Sequence, residues 1–173
     1  MVTAWLVSAA LVSAGCSGGT ATTPTTRTPQ PAGATPSPIS VMVCAPEAVK
    51  EINGALGEKA TVSGRSWVDH RYSCRYGYPE GSMTLSVKEL SSWAETRAYF
   101  AATAVTSGRA RDLSGLGQAA FQATDGSVVV RKDWKVLVVD IGGLPAQFGV
   151  PPTSSGDVAV TVADVILGCW AGD

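Results

Sequence analysis

Histidine is almost missing from this chain, and His70 is the only one among 173 residues. That stock is too small for the multi-histidine sites of catalytic zinc. Cysteine is also scarce, with four residues at positions 16, 44, 74 and 169, and no Cys-x-x-Cys pair among them. Zinc ribbons and thioredoxin-like redox motifs are thereby excluded. No metal and no cofactor is expected. An excess of charge of one sign is lacking as well, since the formal net charge is −1. Such a chain has no basic field to recruit nucleic acid, and no nucleic-acid partner is expected.

Motifs of several large enzyme classes are absent too. There is no Gly-Lys-Ser/Thr phosphate loop and no Gly-x-Ser-x-Gly elbow. Ser114-Gly115-Leu116-Gly117 reads as a tight entry to the next strand. No two acids stand in a context that would separate their pKa values for acid/base work. His70 and Cys74 are four apart on one strand face, roughly 13 Å along the chain, too far for direct proton transfer. No catalytic residue is expected.

A long hydrophobic run is also missing at the start. Ala4 to Val12 is apolar but short, whereas a bilayer-spanning helix needs about 20 such residues. The run suits the apolar region of a signal peptide over residues 1–15. No Lys or Arg precedes it, so either a start further upstream or an unusually short leader is expected. Ser13-Ala14-Gly15-Cys16 resembles the bacterial lipobox at three of its four places, with Ser13 departing from the usual aliphatic residue. The resemblance implies cleavage before Cys16 and lipidation of its sulfur. A plain secretory leader with an incidental cysteine is the alternative.

Residues 17–38 are rich in Thr, Pro, Ser and Gly and hold no aliphatic side chain larger than Ala. Such a stretch buries too little apolar surface to offset its ordering entropy. Residues 16–38 therefore read as a lipidated cysteine and a disordered, semi-rigid tether. Composition changes at Ile39, and 39–173 read as one globular domain.

Pro46 to Leu56 predicts a helix, with Pro at its first position, Glu47 in its first turn and Gly57 behind it. Trp67 to Tyr76 alternates as one strand, with Val68, His70, Tyr72, Cys74 and Tyr76 on one face. Asp69, Arg71, Ser73 and Arg75 take the other. A turn at Tyr78–Gly81 returns the chain along Met83, Leu85 and Val87. Ser92-x-x-Glu95 predicts a capping box and a helix to about Val105, with Trp93, Phe100 and Ala104 buried. Asp125-Gly126 predicts a type I′ hairpin between Ala119–Ala123 and Ser127–Arg131. Lys135–Ile141 follows as a central strand. The period of Val158, Val162, Val165, Ile166 and Cys169 predicts a closing helix. The expected class is α+β, a single antiparallel sheet with helices packed on one face, in the order α-β-β-α-β-β-β-α.

If Cys16 carries lipid, Cys44, Cys74 and Cys169 allow three single bridges. Cys44–Cys74 is preferred, because Cys44 abuts the first helix and Cys74 lies on the inward strand face; Cys169 is then expected as a buried free thiol. Arg71, Arg75 and Trp134 are the candidate contacts for an anion or other ligand, set against their ordinary uses as a solvated face and a packed indole.

Several features together resemble small actinobacterial cell-envelope lipoproteins of unknown function, loosely those of domain-of-unknown-function family 3558. They are Ala14-Gly15-Cys16, the Thr/Pro tether, Cys44 before the first helix, Cys74 thirty residues later, Gly115-Leu116-Gly117-x-Ala119-Ala120-Phe121, and the amphipathic closing helix. The resemblance implies a non-enzymatic envelope domain and carries over no catalytic residue. The expectation is a lipid-anchored protein on the extracytoplasmic face of the cell membrane. It would bind an envelope ligand or protein. An envelope-acting hydrolase and a purely structural component are the alternatives.

Overall fold

The structure is a computed structural model and describes residues 29–170; the leader, Cys16 and most of the Thr/Pro segment lie outside them. Four helices are present among the described residues: α1 (Pro38–Met42), α2 (Pro46–Leu56), α3 (Trp93–Ser107) and α4 (Ser155–Cys169). Seven strands form the main sheet: β1 (Thr61–Val68), β2 (Arg71–Tyr78), β3 (Gly81–Glu89), β4 (Arg109–Leu113), β5 (Ala119–Ala123), β6 (Val128–Lys132) and β7 (Lys135–Gly143). A two-stranded ribbon, β8 (Gln147–Phe148) with β9 (Thr153–Ser154), precedes α4.

The class is α+β with an antiparallel sheet, as expected. Its order is β1-β2-β3-β7-β6-β5-β4, two meanders joined where β7 lies beside β3. β7 is central, which its unbroken Val136–Val139 run requires, because both faces of that strand are covered. Leu137 and Val139 face a core with Val128, Val130 and the buried stripe Val158, Val162 and Ile166 of α4. α2 joins this core through Ala48, Ile52 and Leu56. Val136 faces the other way and packs with Phe121, Val129 and Phe100 of α3. The helices thus divide between the faces: α2 and α4 share one, and α3 covers half of the other. Phe121 and Val129, directly opposite each other in β5 and β6, supply the second apolar patch that α3 needs.

Local sequence accounts for the element ends. Pro46 opens α2, and Gly57 closes it at φ +67°, where a Cβ would lie 2.6 Å from the Val150 carbonyl oxygen. Ser92 caps α3 by accepting from the Glu95 amide at 3.2 Å, and Glu95 accepts from the Ser91 amide at 2.9 Å. Ser154 caps α4 through the Asp157 amide.

Several expectations are corrected. The single strand over Trp67–Tyr76 is a hairpin, because Asp69 and His70 both take positive φ and turn the chain. Two strands, β1 and β4, form the sheet edges and lie mostly exposed, so neither shows a clear apolar alternation. At Asp125-Gly126 only the glycine has positive φ, so the hairpin is not type I′. The Asp125 side chain instead accepts from the Ser127 amide at 2.9 Å. Trp93 is exposed at the start of α3.

Residues 29–37, expected to be tether, lie against the sheet as an arch. The Ala32 amide donates to the Leu90 carbonyl, and the Trp67 indole donates to the Ala34 carbonyl. The Ser37 amide donates to the Glu89 carboxylate at 2.7 Å, and the Ser40 hydroxyl donates to the same oxygen. Glu89 is 5% exposed. Hydrogen bonds hold this segment where apolar burial cannot, which is why composition alone gave no sign of it.

Candidate functional site

An open groove of about 830 Å³ runs between α2 and the edge strand β1. Pro46, Val49 and Gly54 of α2 and Ala60 and Val62 beside it form its apolar lining. Lys50, Lys59 and Arg65 line it as cations, and Glu58 is the one carboxylate among the lining residues. Asn53 ties the two walls together by accepting from the Ala60 amide at 3.0 Å.

The placement of Arg65 follows from backbone geometry. Val62 stands opposite Tyr76, and Trp67 opposite Tyr72; both tyrosines belong to the core under α2 and α4. Ser63 and Ser66 stand opposite Arg75 and Ser73, on the other face. Between them the two residues Gly64 and Arg65 oppose the single Cys74. Gly64 has φ +63°, the left-handed conformation of a glycine bulge. Without the extra residue, strict alternation from Val62 would send Arg65 to the Ser63 face. The bulge re-aims it to the α2 side of the sheet, where the exposed side chain's guanidinium donates to the Cys44 carbonyl at 3.1 Å.

The floor beneath Arg65 is rigid. Cys44 and Cys74 form a disulfide with Cα atoms 6.1 Å apart, as preferred from sequence. Next to it, the buried Tyr76 hydroxyl donates to the Val43 carbonyl at 2.6 Å. Burial pushes the Tyr76 phenol well above its ordinary value.

Gly54 is the other informative lining residue. A glycine inside a helix costs about 1 kcal/mol relative to alanine. A Cβ at Gly54 would meet no atom within 4 Å. Packing within the chain therefore does not require glycine there, and its smallness leaves the groove wall clear.

The residues singled out from sequence fall elsewhere. Cys16 lies outside the described residues. Arg71 and Arg75 are exposed on the opposite face of the sheet from Arg65, so the arginines do not form one basic surface. Arg71 donates to the Tyr99 hydroxyl at 2.6 Å. Asp69 pairs with Lys88 at 2.8 Å instead of with either arginine, and that contact lowers its carboxyl pKa. Trp134 is half-buried with its indole N–H enclosed, so it does not stand out as an exposed platform. Trp170 is 1% exposed, with Lys132 over its ring and donating to its carbonyl. Cys169 is disulfide-bonded, not the free thiol expected.

A second cavity, of about 590 Å³, lies under the arch. Glu89, Asp133 and Lys135 line it together with Pro29, Pro31 and Pro36. Glu89 uses one oxygen to hold Ser37 and Ser40, so its evident work is to fasten the arch. Arg109 pairs with Asp112 at the far edge of the sheet. Neither Arg71 nor Arg109 borders either cavity. Among the described residues, no group of three or more His, Cys, Asp or Glu is placed to hold a metal ion, and no helix is long and apolar enough to cross a membrane.

Comparison with protein-family models, with curated proteins and with solved structures returned no match.

Proposed function

We propose that this chain is a membrane-anchored, extracytoplasmic lipoprotein whose domain is a non-enzymatic binding module, with the α2–β1 groove as its binding site. The observation that carries the binding role is the groove itself. An apolar lining is bordered by three cations against one carboxylate, a surface suited to a ligand that is partly apolar and negatively charged. Gly54 leaves its wall clear at a cost in helix propensity. The apolar run, Ala14-Gly15-Cys16 and the Thr/Pro segment support the anchor. The Cys44–Cys74 disulfide supports an oxidising compartment. The likeness to actinobacterial envelope lipoproteins rests on short motifs alone, and neither the anchor nor the groove depends on it.

The groove is tested by titrating the full chain with dodecyl phosphate, an anionic amphiphile, and following backbone amide signals. Signals from Val49, Gly54, Val62 and Arg65 should move, and Gly54→Phe, which fills the groove from its wall, should abolish the change. Groove signals that neither this amphiphile nor an acidic peptide moves, or movement that persists in Gly54→Phe, would refute the site. The anchor has a separate test in cells, where Cys16→Ser should release the protein from the membrane fraction. With Cys44 and Cys74 paired, Cys16 is the one cysteine left in the chain to bridge Cys169, so a thioether to lipid at Cys16 requires that Cys169 be bridged to another molecule. A peptide linking Cys16 to Cys169 under non-reducing digestion would overturn the lipid reading.

A further inference from the structure

We infer that the occupant of the groove is an extended acidic peptide segment that adds to β1 as an eighth strand. This deepens the groove reading above and rests on it. The first observation is the edge. β1 is the outermost strand, and about half of a strand's backbone N–H and C=O groups point away from its only neighbour. No backbone partner on that outer side is found among the described residues for Thr61–Val68. The edge is a template for another chain.

The second observation is what lies beside that edge. In a strand, alternate side chains fall on the same face, about 6.6–6.8 Å apart. On a strand added to β1, one set of side chains would lie in the space between β1 and α2, the groove lined by Val49, Gly54, Ala60 and Val62. The groove is open rather than enclosed, which suits a passing chain better than an acyl tail. Its lining carries one more feature an incoming chain must match. Lys50, Lys59 and Arg65 outnumber Glu58, so acidic side chains are favoured on the segment and basic ones are opposed.

The bulge decides between capture and protection. Bulges and charges are also the devices by which edge strands avoid unwanted pairing. A guard residue of that kind points into solvent on the edge. Arg65 is exposed too, but it is turned to the helix side and held by the Cys44 carbonyl at 3.1 Å, beside a disulfide that immobilises that carbonyl's residue. One of its guanidinium nitrogens is thereby used, and the remaining donors stay available at the groove. The bulge also confines regular pairing to the stretches on either side of it, Thr61–Ser63 and Ser66–Val68. The groove lies along the first of these, so Thr61–Ser63 supplies the backbone contacts and Arg65 the charge contact.

The test uses the full chain and three probes: an end-blocked octapeptide of alternating Val and Glu, the same peptide N-methylated at every second residue, and dodecyl phosphate. The octapeptide should shift the amide signals of Thr61–Ser63 and slow their hydrogen exchange. N-methylation removes donors without removing side chains, and the loss of one or two backbone hydrogen bonds should weaken binding about tenfold. Arg65→Ala should weaken the unmethylated peptide about threefold, as for a partly exposed ion pair. Equal binding of the two peptides would overturn strand addition and leave the groove reading standing. Strand addition is overturned in the same way if dodecyl phosphate moves the groove signals and the octapeptide does not. If none of the three moves them, both readings fall.

Discussion

At the scale of single residues, the two neighbouring tyrosines of β2 make opposite demands. Tyr76 and Tyr78 are both buried, and burial raises both phenol pKa values. Tyr76 donates to the Val43 carbonyl, whereas the Tyr78 hydroxyl has no partner among the described residues. Their folded-state pKa values lie above those in the unfolded chain. Their contribution to stability is therefore complete below tyrosine's ordinary value of about 10 and is lost as pH rises past it towards the raised values. Near neutral pH, Tyr76→Phe should cost about 1–2 kcal/mol, because it strands a buried carbonyl. Tyr78→Phe should cost close to nothing there, since it removes only an unsatisfied polar atom. Each substitution should also flatten the alkaline loss of stability. Urea unfolding of the two variants at about pH 7 and about pH 10.5 checks both statements. Equal costs at neutral pH would contradict the hydrogen-bond assignment.

At the scale of elements, legibility followed periodicity. α2 is marked by Pro46, Glu47 and Gly57 and by buried residues at i, i+4 and i+8, and its bounds agree with the sequence reading residue for residue. β7 announces its central place through four consecutive apolar residues. β1 announces nothing, because Gly64 and Arg65 insert a residue and break its alternation just where the proposed binding groove lies. Sequence had no means of separating Arg65 from Arg71 and Arg75. The one available sign was a glycine followed by an arginine inside an otherwise strand-like stretch. Other misreadings share this origin. Asp69-His70 turns the chain without glycine or proline, and residues 29–37 are held by hydrogen bonds to groups distant in sequence.

The bulge is itself open to test at this scale. Gly64 sits at φ +63° with room for a side chain, so substitution there acts through backbone strain alone. Gly64→Val should destabilise by about 1–2 kcal/mol, and Gly64→Asn by less than half as much, since asparagine tolerates the left-handed region. Val in this place should also weaken binding of the alternating Val-Glu octapeptide, because relief of the strain returns Arg65 towards the Ser63 face. A Gly64→Val variant as stable as the parent would show that the left-handed bulge is not a fixed part of the strand.

At the scale of the whole molecule, the Cys44–Cys74 bond ties the N-terminal segment to the sheet. The residues from the arch through α2 reach the sheet through the arch's hydrogen bonds with Glu89, Leu90 and Trp67, those that Tyr76 and Arg65 donate to the Val43 and Cys44 carbonyls, the buried face of α2, and this disulfide. The bond joins residues 30 apart in sequence, and in the loop-entropy account a loop of that length stabilises by about 3–4 kcal/mol. Domains of this kind have about 5–15 kcal/mol in total, so its loss should consume a large share. The double variant Cys44→Ala/Cys74→Ala isolates this bond, whereas a reductant would also act at Cys169. Its urea midpoint should fall by an amount corresponding to about 3–4 kcal/mol. Function should suffer beyond stability, because Cys44 supplies the carbonyl that holds Arg65, and its neighbour Val43 supplies the one that holds Tyr76. Under conditions where the variant is still folded, amide signals around Arg65 should broaden, and the affinity for the octapeptide should fall by at least as much as in Arg65→Ala. A folded variant that binds the peptide as tightly as the parent would show that the disulfide stabilises the fold without ordering the groove.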